Sequence, residues 1–271
     1  MNSIQSIILG IIQGLTEFLP VSSSGHLNIF PWLLNWQEIP ESFDLALHAG
    51  TLLAIIVYFF KDWLSLISGG CKLVFKKQKS TEGKMFWYII AATIPAGVLG
   101  LILEKGVELI TKGNLNTEMI IISVALIVMG VILYITDKKA KAEISYENAD
   151  FKRTFLVGVS QALAAAVPGV SRSGITMTVA RALKIERPSA AKLSFMLSAP
   201  IVAAAVILKL SEFELTLPFV LGILASFISG VLVIKFLMGF LNKGSFKVFA
   251  IYRMFIGIVI IAAVIIRAVQ A

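Results

Sequence analysis

Four stretches of this chain carry no charged residue at all: 85–103, 119–136, 193–208 and 215–234. At about 1.5 Å of rise per residue, each is near the length that crosses a hydrocarbon core of about 30 Å. Residues 45–60 and 254–270 are nearly as apolar, which brings the predicted spanning helices to six. Two further apolar stretches are different. One runs from the N-terminus to Pro20 and the other from about residue 153 to Pro168, and each ends in a Pro followed by a Ser- and Gly-rich cluster before apolar sequence resumes. Trp32, Trp36, Trp63 and Trp87 fall near predicted span ends, as interface anchors do. Segment 63–76 is too short to span and reads as a helix along the inner surface.

Composition agrees with insertion. Of 271 residues, 58% are hydrophobic and 15% charged, and the mean hydropathy is +0.89. One buried core helix in a soluble protein would account for one uncharged run, but not for four. The single cysteine, Cys71, excludes an intrachain disulfide and a thiolate metal cluster. No basic n-region precedes the first apolar run, so no removable signal peptide is expected. The net charge of +8 reads as cytoplasmic loops facing anionic lipid, not as a nucleic-acid surface.

Charge placement orients the spans. Segments 61–84, 137–153, 181–192 and 235–253 hold 19 of the 24 Lys and Arg residues, and the positive-inside bias makes them cytoplasmic. The spans then form two groups of three with opposite orientation, the last one bounded by Arg253 and Arg267, which are expected to snorkel. Gly10, Gln13, Leu15, Pro20 and Ser23 recur as Gly158, Gln161, Leu163, Pro168 and Ser171, each 148 residues on. Residues 1–44 must begin and end outside and 153–192 must begin and end inside, so both are predicted to enter the membrane and return. Non-helical backbone at that depth is tolerated where protein or a water-filled cavity covers it. The predicted fold is an all-α polytopic membrane protein with an inverted-topology repeat, six spanning helices plus two re-entrant helical hairpins. It forms a single membrane domain over 1–271. Residues 1–136 make the first repeat, 137–152 a solvated cytoplasmic connection and 153–271 the second repeat. Two tips that enter from opposite sides should meet near the midplane and form the site.

The tips carry the candidate chemistry. Gln13 and Glu17, four apart, project from one helix face. Ser22, Ser23, Ser24 and His26 follow Pro20, and Ser23 and His26 share a face if a helix restarts at the serines. The serines also suit a helix cap. An intramembrane carboxylate costs about 2.5–3.5 kcal/mol on insertion scales, so Glu17 needs a partner. In the second tip, Gly169, Ser171, Ser173, Gly174 and Thr176 offer backbone N–H groups and hydroxyls at a helix start, and Arg172 offers a guanidinium fork suited to phosphate. This set suits phosphoryl transfer. His48 lies in a span beside Gly50 and Thr51 and reads as a helix-packing residue.

These motifs resemble those of the bacterial undecaprenyl-diphosphatase, or bacitracin-resistance, family. The resemblance rests on Gln13-x-x-x-Glu17, Leu19-Pro-Val-Ser-Ser-Ser-Gly-His26, Phe43-Asp-Leu-Ala-Leu-His-Ala-Gly-Thr51 and Pro168-Gly-Val-Ser-Arg-Ser-Gly-Ile-Thr176, and it covers essentially the whole chain. It implies hydrolysis of undecaprenyl diphosphate to the monophosphate, with a divalent cation, at the outer face of the bacterial plasma membrane, and it leaves room for a homodimer. On this reading Ser23 attacks, His26 takes its proton, and Glu17 holds Mg²⁺ or Ca²⁺ with Gln13 as a less secure ligand. Ser22, Ser24, Gly169, Ser171, Arg172, Ser173, Gly174 and Thr176 bind the diphosphate. His26 as nucleophile, or a metal-activated water, stays open. Many members carry Glu where this chain has Gln13, which removes one metal charge. A transporter or flippase of an anionic lipid is the competing class, because inverted repeats with broken helices are common there.

Overall fold

The computed structural model describes residues 2–111 and 115–270, without the side chains of 104–111 and 115. Twelve α-helices follow one another among these residues, and no β-strand is formed. They are α1 (Ser3–Phe18), α2 (Ser23–Leu34), α3 (Glu41–Tyr58), α4 (Phe60–Phe75), α5 (Thr81–Thr111), α6 (Leu115–Lys139), α7 (Phe151–Val159), α8 (Ala162–Ala166), α9 (Arg172–Ala182), α10 (Arg187–Leu208), α11 (Leu217–Leu241) and α12 (Lys247–Gln270). Six of them, α3, α5, α6, α10, α11 and α12, are long and apolar enough to cross a membrane. They coincide with the six spans expected from the sequence, and the chain is an all-α polytopic membrane protein.

The two Pro-containing stretches form broken helix pairs. After α1 the backbone turns extended at Leu19, passes Pro20 and restarts as α2 with Ser22 as N-cap. After α7 and α8 it turns extended at Val167 and restarts as α9 with Ser171 as N-cap. The two caps match. Ser22 and Ser171 both have positive φ, 76° and 70°, and each side-chain oxygen accepts the N–H three residues on, from Gly25 and Gly174. Each cap hydroxyl also meets the one two residues later, Ser24 at 3.3 Å and Ser173 at 3.2 Å.

This geometry corrects the register read from the sequence. Pro20 and Pro168 correspond at 148 residues, but Ser22 corresponds to Ser171 at 149, because Gly169 is an extra residue in the second tip. Gly169 takes φ +92°, and a Cβ there would stand 2.7 Å from the Ile122 carbonyl oxygen. The counterpart of Ser23 is therefore Arg172, since each is the first residue of its helix.

The halves interlock. Helix α1, from the first half, packs chiefly on α11 from the second, while α7 and α8 pack on α5 from the first. The α1–α11 contact is close because small residues line it: a Cβ on Gly14 would lie 1.9 Å from Ser229 Oγ and 2.6 Å from the Ser226 carbonyl oxygen. Helix α4, 16 residues long, starts after a break at Phe59 and packs on α5 and α3.

Two sequence expectations are overturned here. Arg253 does not snorkel, because α12 begins at Lys247 and Arg253 is fully buried within it. Nor is the 137–152 connection wholly solvated: Asp137, Tyr146 and Ala149 are buried, Asp137 between Arg181 and Arg187. The stretch 104–118 joins two spans and is poor in basic residues, so the positive-inside bias places it outside; its residues 112–114 lie outside the described residues.

The charge-based orientation is open to direct measurement. In a Cys71→Ser background, a cysteine replacing Glu41 should react with an impermeant maleimide in intact cells. Cysteines replacing Lys77 or Lys243 should react only after permeabilisation. Labelling of Glu41 and Lys77 positions from the same side would overturn the orientation.

Candidate active site

Gln13 and Glu17 lie one turn apart on the buried face of α1. Gln13 Nε2 donates to Glu17 Oε2 at 3.1 Å. The hydroxyl of Ser23, at the start of α2, donates to the same oxygen at 2.6 Å. From the other tip, a terminal nitrogen of Arg172 pairs with Glu17 Oε1. Glu17 is thus the carboxylate on which both tips converge, and the ion pair offsets part of the cost of holding it in the membrane. Ser24 beside it is exposed and the Arg172 side chain keeps 19% of its accessible surface, so the cluster borders open space.

Helix starts reinforce the positive side of this cluster. The N–H groups of Ser23, Ser24, Arg172 and Ser173 make no hydrogen bond among the described residues. First-turn N–H groups of this kind attract anions. Two helix N-termini and the remaining guanidinium donors of Arg172 therefore flank the Glu17–Ser23 pair.

Other residues expected at the site have different partners. His26 is turned away from Ser23. Its Nδ1 lies 2.7 Å from the Ser22 carbonyl oxygen and its Nε2 2.8 Å from the Tyr252 hydroxyl, with the two rings stacked at 5.7 Å. A carbonyl only accepts, so Nδ1 carries the proton and Nε2 accepts from Tyr252. One turn of helix does not bring hydroxyl and imidazole together, and the acceptor beside Ser23 is Glu17. The Thr176 hydroxyl donates to the Arg172 carbonyl and meets Ser194 Oγ at 2.6 Å, away from the tip. Ser173 donates across to the Leu19 carbonyl at 3.0 Å, tying one tip to the other. Ser22 and Ser171 serve as caps, and the Gly174 N–H is taken up by Ser171.

Two residues were undervalued in the sequence. His48 Nε2 lies 3.5 Å from Glu17 Oε2, so this histidine borders the site instead of only packing helices. Its Nδ1 is 3.0 Å from the Asp44 carbonyl oxygen and 3.7 Å from Asp44 Oδ1. Arg253 is the other. It donates to the carbonyls of Pro20 at 3.2 Å, Gly169 at 2.9 Å and Val170 at 2.9 Å, which come from both tips. A signal was available for His48, since an ionisable residue inside a predicted span is a functional candidate by default, whereas Arg253 stood at the predicted edge of its span.

The donor set also bears on a divalent cation. Among the described residues no group of three or more His, Cys, Asp and Glu side chains is arranged to hold a metal. Gln13 Oε1, however, is buried with no hydrogen-bond partner, next to the Glu17 carboxylate. These two oxygen donors fit a hard cation that completes its shell from phosphate oxygens, and not a closed protein cage.

Comparison with known proteins follows the same lines. The family model described as Bacitracin resistance protein BacA matches residues 6–259. An undecaprenyl-diphosphatase of Caldicellulosiruptor bescii is 45% identical, covering 99% of this chain and all of the relative. One from Desulforudis audaxviator is 42% identical over 98% of this chain and all of the relative. One from Geobacter sulfurreducens is 39% identical over 97% and 98%.

The tip geometry predicts a graded loss of stability. Arg253→Met leaves three buried carbonyls unpaired, at about 1–3 kcal/mol each, and should lower the unfolding midpoint in detergent markedly. Tyr252→Phe removes one hydrogen bond and should cost about 1 kcal/mol. Equal midpoints for Arg253→Met and the parent chain would show that these bonds hold nothing together.

Proposed function

The chain belongs to the bacitracin resistance protein BacA family, and from that membership we propose how its two tips carry out the family's reaction. It is an undecaprenyl-diphosphate phosphatase, a membrane hydrolase. It converts undecaprenyl diphosphate to undecaprenyl phosphate and inorganic phosphate, and so recycles the carrier for cell-wall synthesis and confers bacitracin resistance.

One observation carries the mechanism: the Ser23 hydroxyl donates to Glu17 Oε2 at 2.6 Å. Ser23 Oγ attacks the terminal phosphorus while its proton passes to Glu17. The phosphoanhydride bond breaks, undecaprenyl phosphate leaves with the bridging oxygen, and the phosphoryl group rests on Ser23. Glu17 passes the serine's proton to the departing undecaprenyl phosphate oxygen, then takes a proton from the water that attacks the phosphoserine and returns it to Ser23 Oγ as phosphate leaves. Arg172 keeps one nitrogen on Glu17 and turns its remaining donors to the phosphate oxygens, with the Ser23, Ser24, Arg172 and Ser173 N–H groups in support. His26, held by Ser22 and Tyr252, fixes the start of α2 and hence the Ser23 position. Gln13 and Glu17 would hold a Mg²⁺ or Ca²⁺ ion together with the substrate; such an ion supplies charge neutralisation on the diphosphate. We place the opening of the site between the tips on the outer side of the plasma membrane, as the family resemblance implies. A carrier of anionic lipid would need the arginine and the helix starts, but not a hydroxyl hydrogen-bonded to a carboxylate.

Three variants test this assignment by phosphate release and by trapping. Ser23→Ala should abolish turnover but still bind substrate. Glu17→Gln should lose at least about a hundredfold, the usual scale for a missing general base, and should form no phosphoenzyme. The species trapped on the parent enzyme should be stable to acid and labile to base, as a phosphoserine is. An acid-labile adduct would reassign the attack to His26. Arg172→Lys keeps a charge near Glu17 but not the fork, and should lose about tenfold or more in kcat/KM.

Cation dependence is a separate measurement. A chelator should stop turnover of the parent enzyme, and Mg²⁺ or Ca²⁺ should restore it. Full activity in chelator would remove the cation from this scheme.

A further inference from the structure

A second charged site lies at the opposite end of three spans from the outer loops. A cavity of about 460 Å³ is lined by Tyr134, Asp137, Lys138, Arg187, Ser245 and Lys247. These residues come from the last turns of α6, the start of α10, the connection between α11 and α12, and the start of α12. The only carboxylate in the lining, Asp137, is already committed. It accepts from Arg181 Nε at 2.8 Å, from Arg187 Nε at 2.8 and 3.1 Å, and from the Phe246 backbone N–H at 3.1 Å.

Positive charge is therefore in excess. The Nε contacts orient the Arg187 guanidinium, and its two terminal nitrogens have no partner among the described residues. Lys138 and Lys247 are exposed and have no acidic partner there either. Two long helices, α10 and α12, point their N-termini toward this region, which adds positive potential. Tyr134 and Ser245 supply hydroxyls. One turn toward the membrane centre the surface becomes apolar, with Ile135 on α6 and Ile251 on α12 both nearly half exposed. A fixed guanidinium, two free ammonium groups and an apolar wall directly beside them match an amphiphile with a phosphate head.

We propose that this cavity binds the headgroup phosphate of an anionic phospholipid in the leaflet on the lysine- and arginine-rich side, with its acyl chains along α6 and α12. Basic pockets between spanning helices on that side are where such headgroups bind. The site is separate from the Glu17 cluster and does not rest on the reaction assigned to it. Bound there, the lipid bridges the ends of α6, α10 and α12.

The test uses the full chain, purified in detergent and stripped of lipid. Phosphatidylglycerol and phosphatidylcholine with the same acyl chains are compared by native mass spectrometry and by the thermal unfolding midpoint, alongside inorganic phosphate at millimolar concentration. Phosphatidylglycerol should be retained more strongly and should raise the midpoint. The double variant Lys138→Gln/Lys247→Gln should weaken that retention by about thirtyfold, taking roughly one surface-cation contribution per lysine. Both lysines are exposed, so the variant should match the parent in lipid-free midpoint and in turnover of a short-chain diphosphate. Equal retention of the two lipids, or a double variant that keeps phosphatidylglycerol as the parent does, would overturn the proposal. So would inorganic phosphate giving the same stabilisation as phosphatidylglycerol, because the site would then bind a soluble anion and not a lipid.

Discussion

Backbone carbonyls that leave a helix inside a membrane have no water to turn to. The tips at Leu19–Ser22 and Val167–Ser171 create such carbonyls twice, and the fold brings both sets to one place. Arg253 resolves the problem by donating to the Pro20, Gly169 and Val170 oxygens from a fully buried position in α12. An arginine suits this task because its planar fork reaches several acceptors at once, and its weak hydration lowers the cost of burial compared with an ammonium. With the tips fixed to each other, everything they carry is fixed too.

The reactive cluster depends on that register. Glu17 comes from one tip and Arg172 from the other, so their ion pair exists only while the tips stay aligned. Ser23 shares the Glu17 carboxylate, and its position is set by the Ser22 cap and by His26 leaning on Tyr252. Glycines and serines along α1 and α11 hold the first hairpin against the second half of the chain, and Ser173 adds a direct tie to Leu19. Support for the site is therefore distributed over both halves, although the reacting groups number only a few.

Much of this was legible in the sequence because the membrane imposes simple rules. Uncharged runs of spanning length marked the six long helices, and Pro followed by Ser and Gly marked both breaks. Gln13, Ser23 and Arg172, which meet at Glu17, were also readable, since charge and polar groups at the tips have few other reasons to be there. Helical spacing failed for Ser23 and His26. Being three residues apart permits contact between two side chains but does not require it, and the stronger pull on His26 came from a carbonyl and a tyrosine hydroxyl 226 residues away. Long-range partners of this kind have no local signature. Arg253 and His48 were discounted for a related reason: each looked adequate as a boundary or packing residue when only its sequence neighbours were considered. Asp137 escaped because a charged stretch between spans reads as solvated until Arg181 and Arg187 are seen to close over it.

The correspondence of Ser23 with Arg172 has a consequence for symmetry. Two separate copies of one hairpin, related by a twofold axis, would present two serines or two arginines at their facing helix starts, and never one of each. Such a pair could grip an anion symmetrically but could not set a hydroxyl on one side of it and a guanidinium on the other. A single chain is free of that restriction, and here the same position carries a hydroxyl on one tip and a guanidinium on the other. The extra Gly169 adds to the asymmetry, because a single added residue lets the second arm differ in reach while its cap keeps the shape of the first.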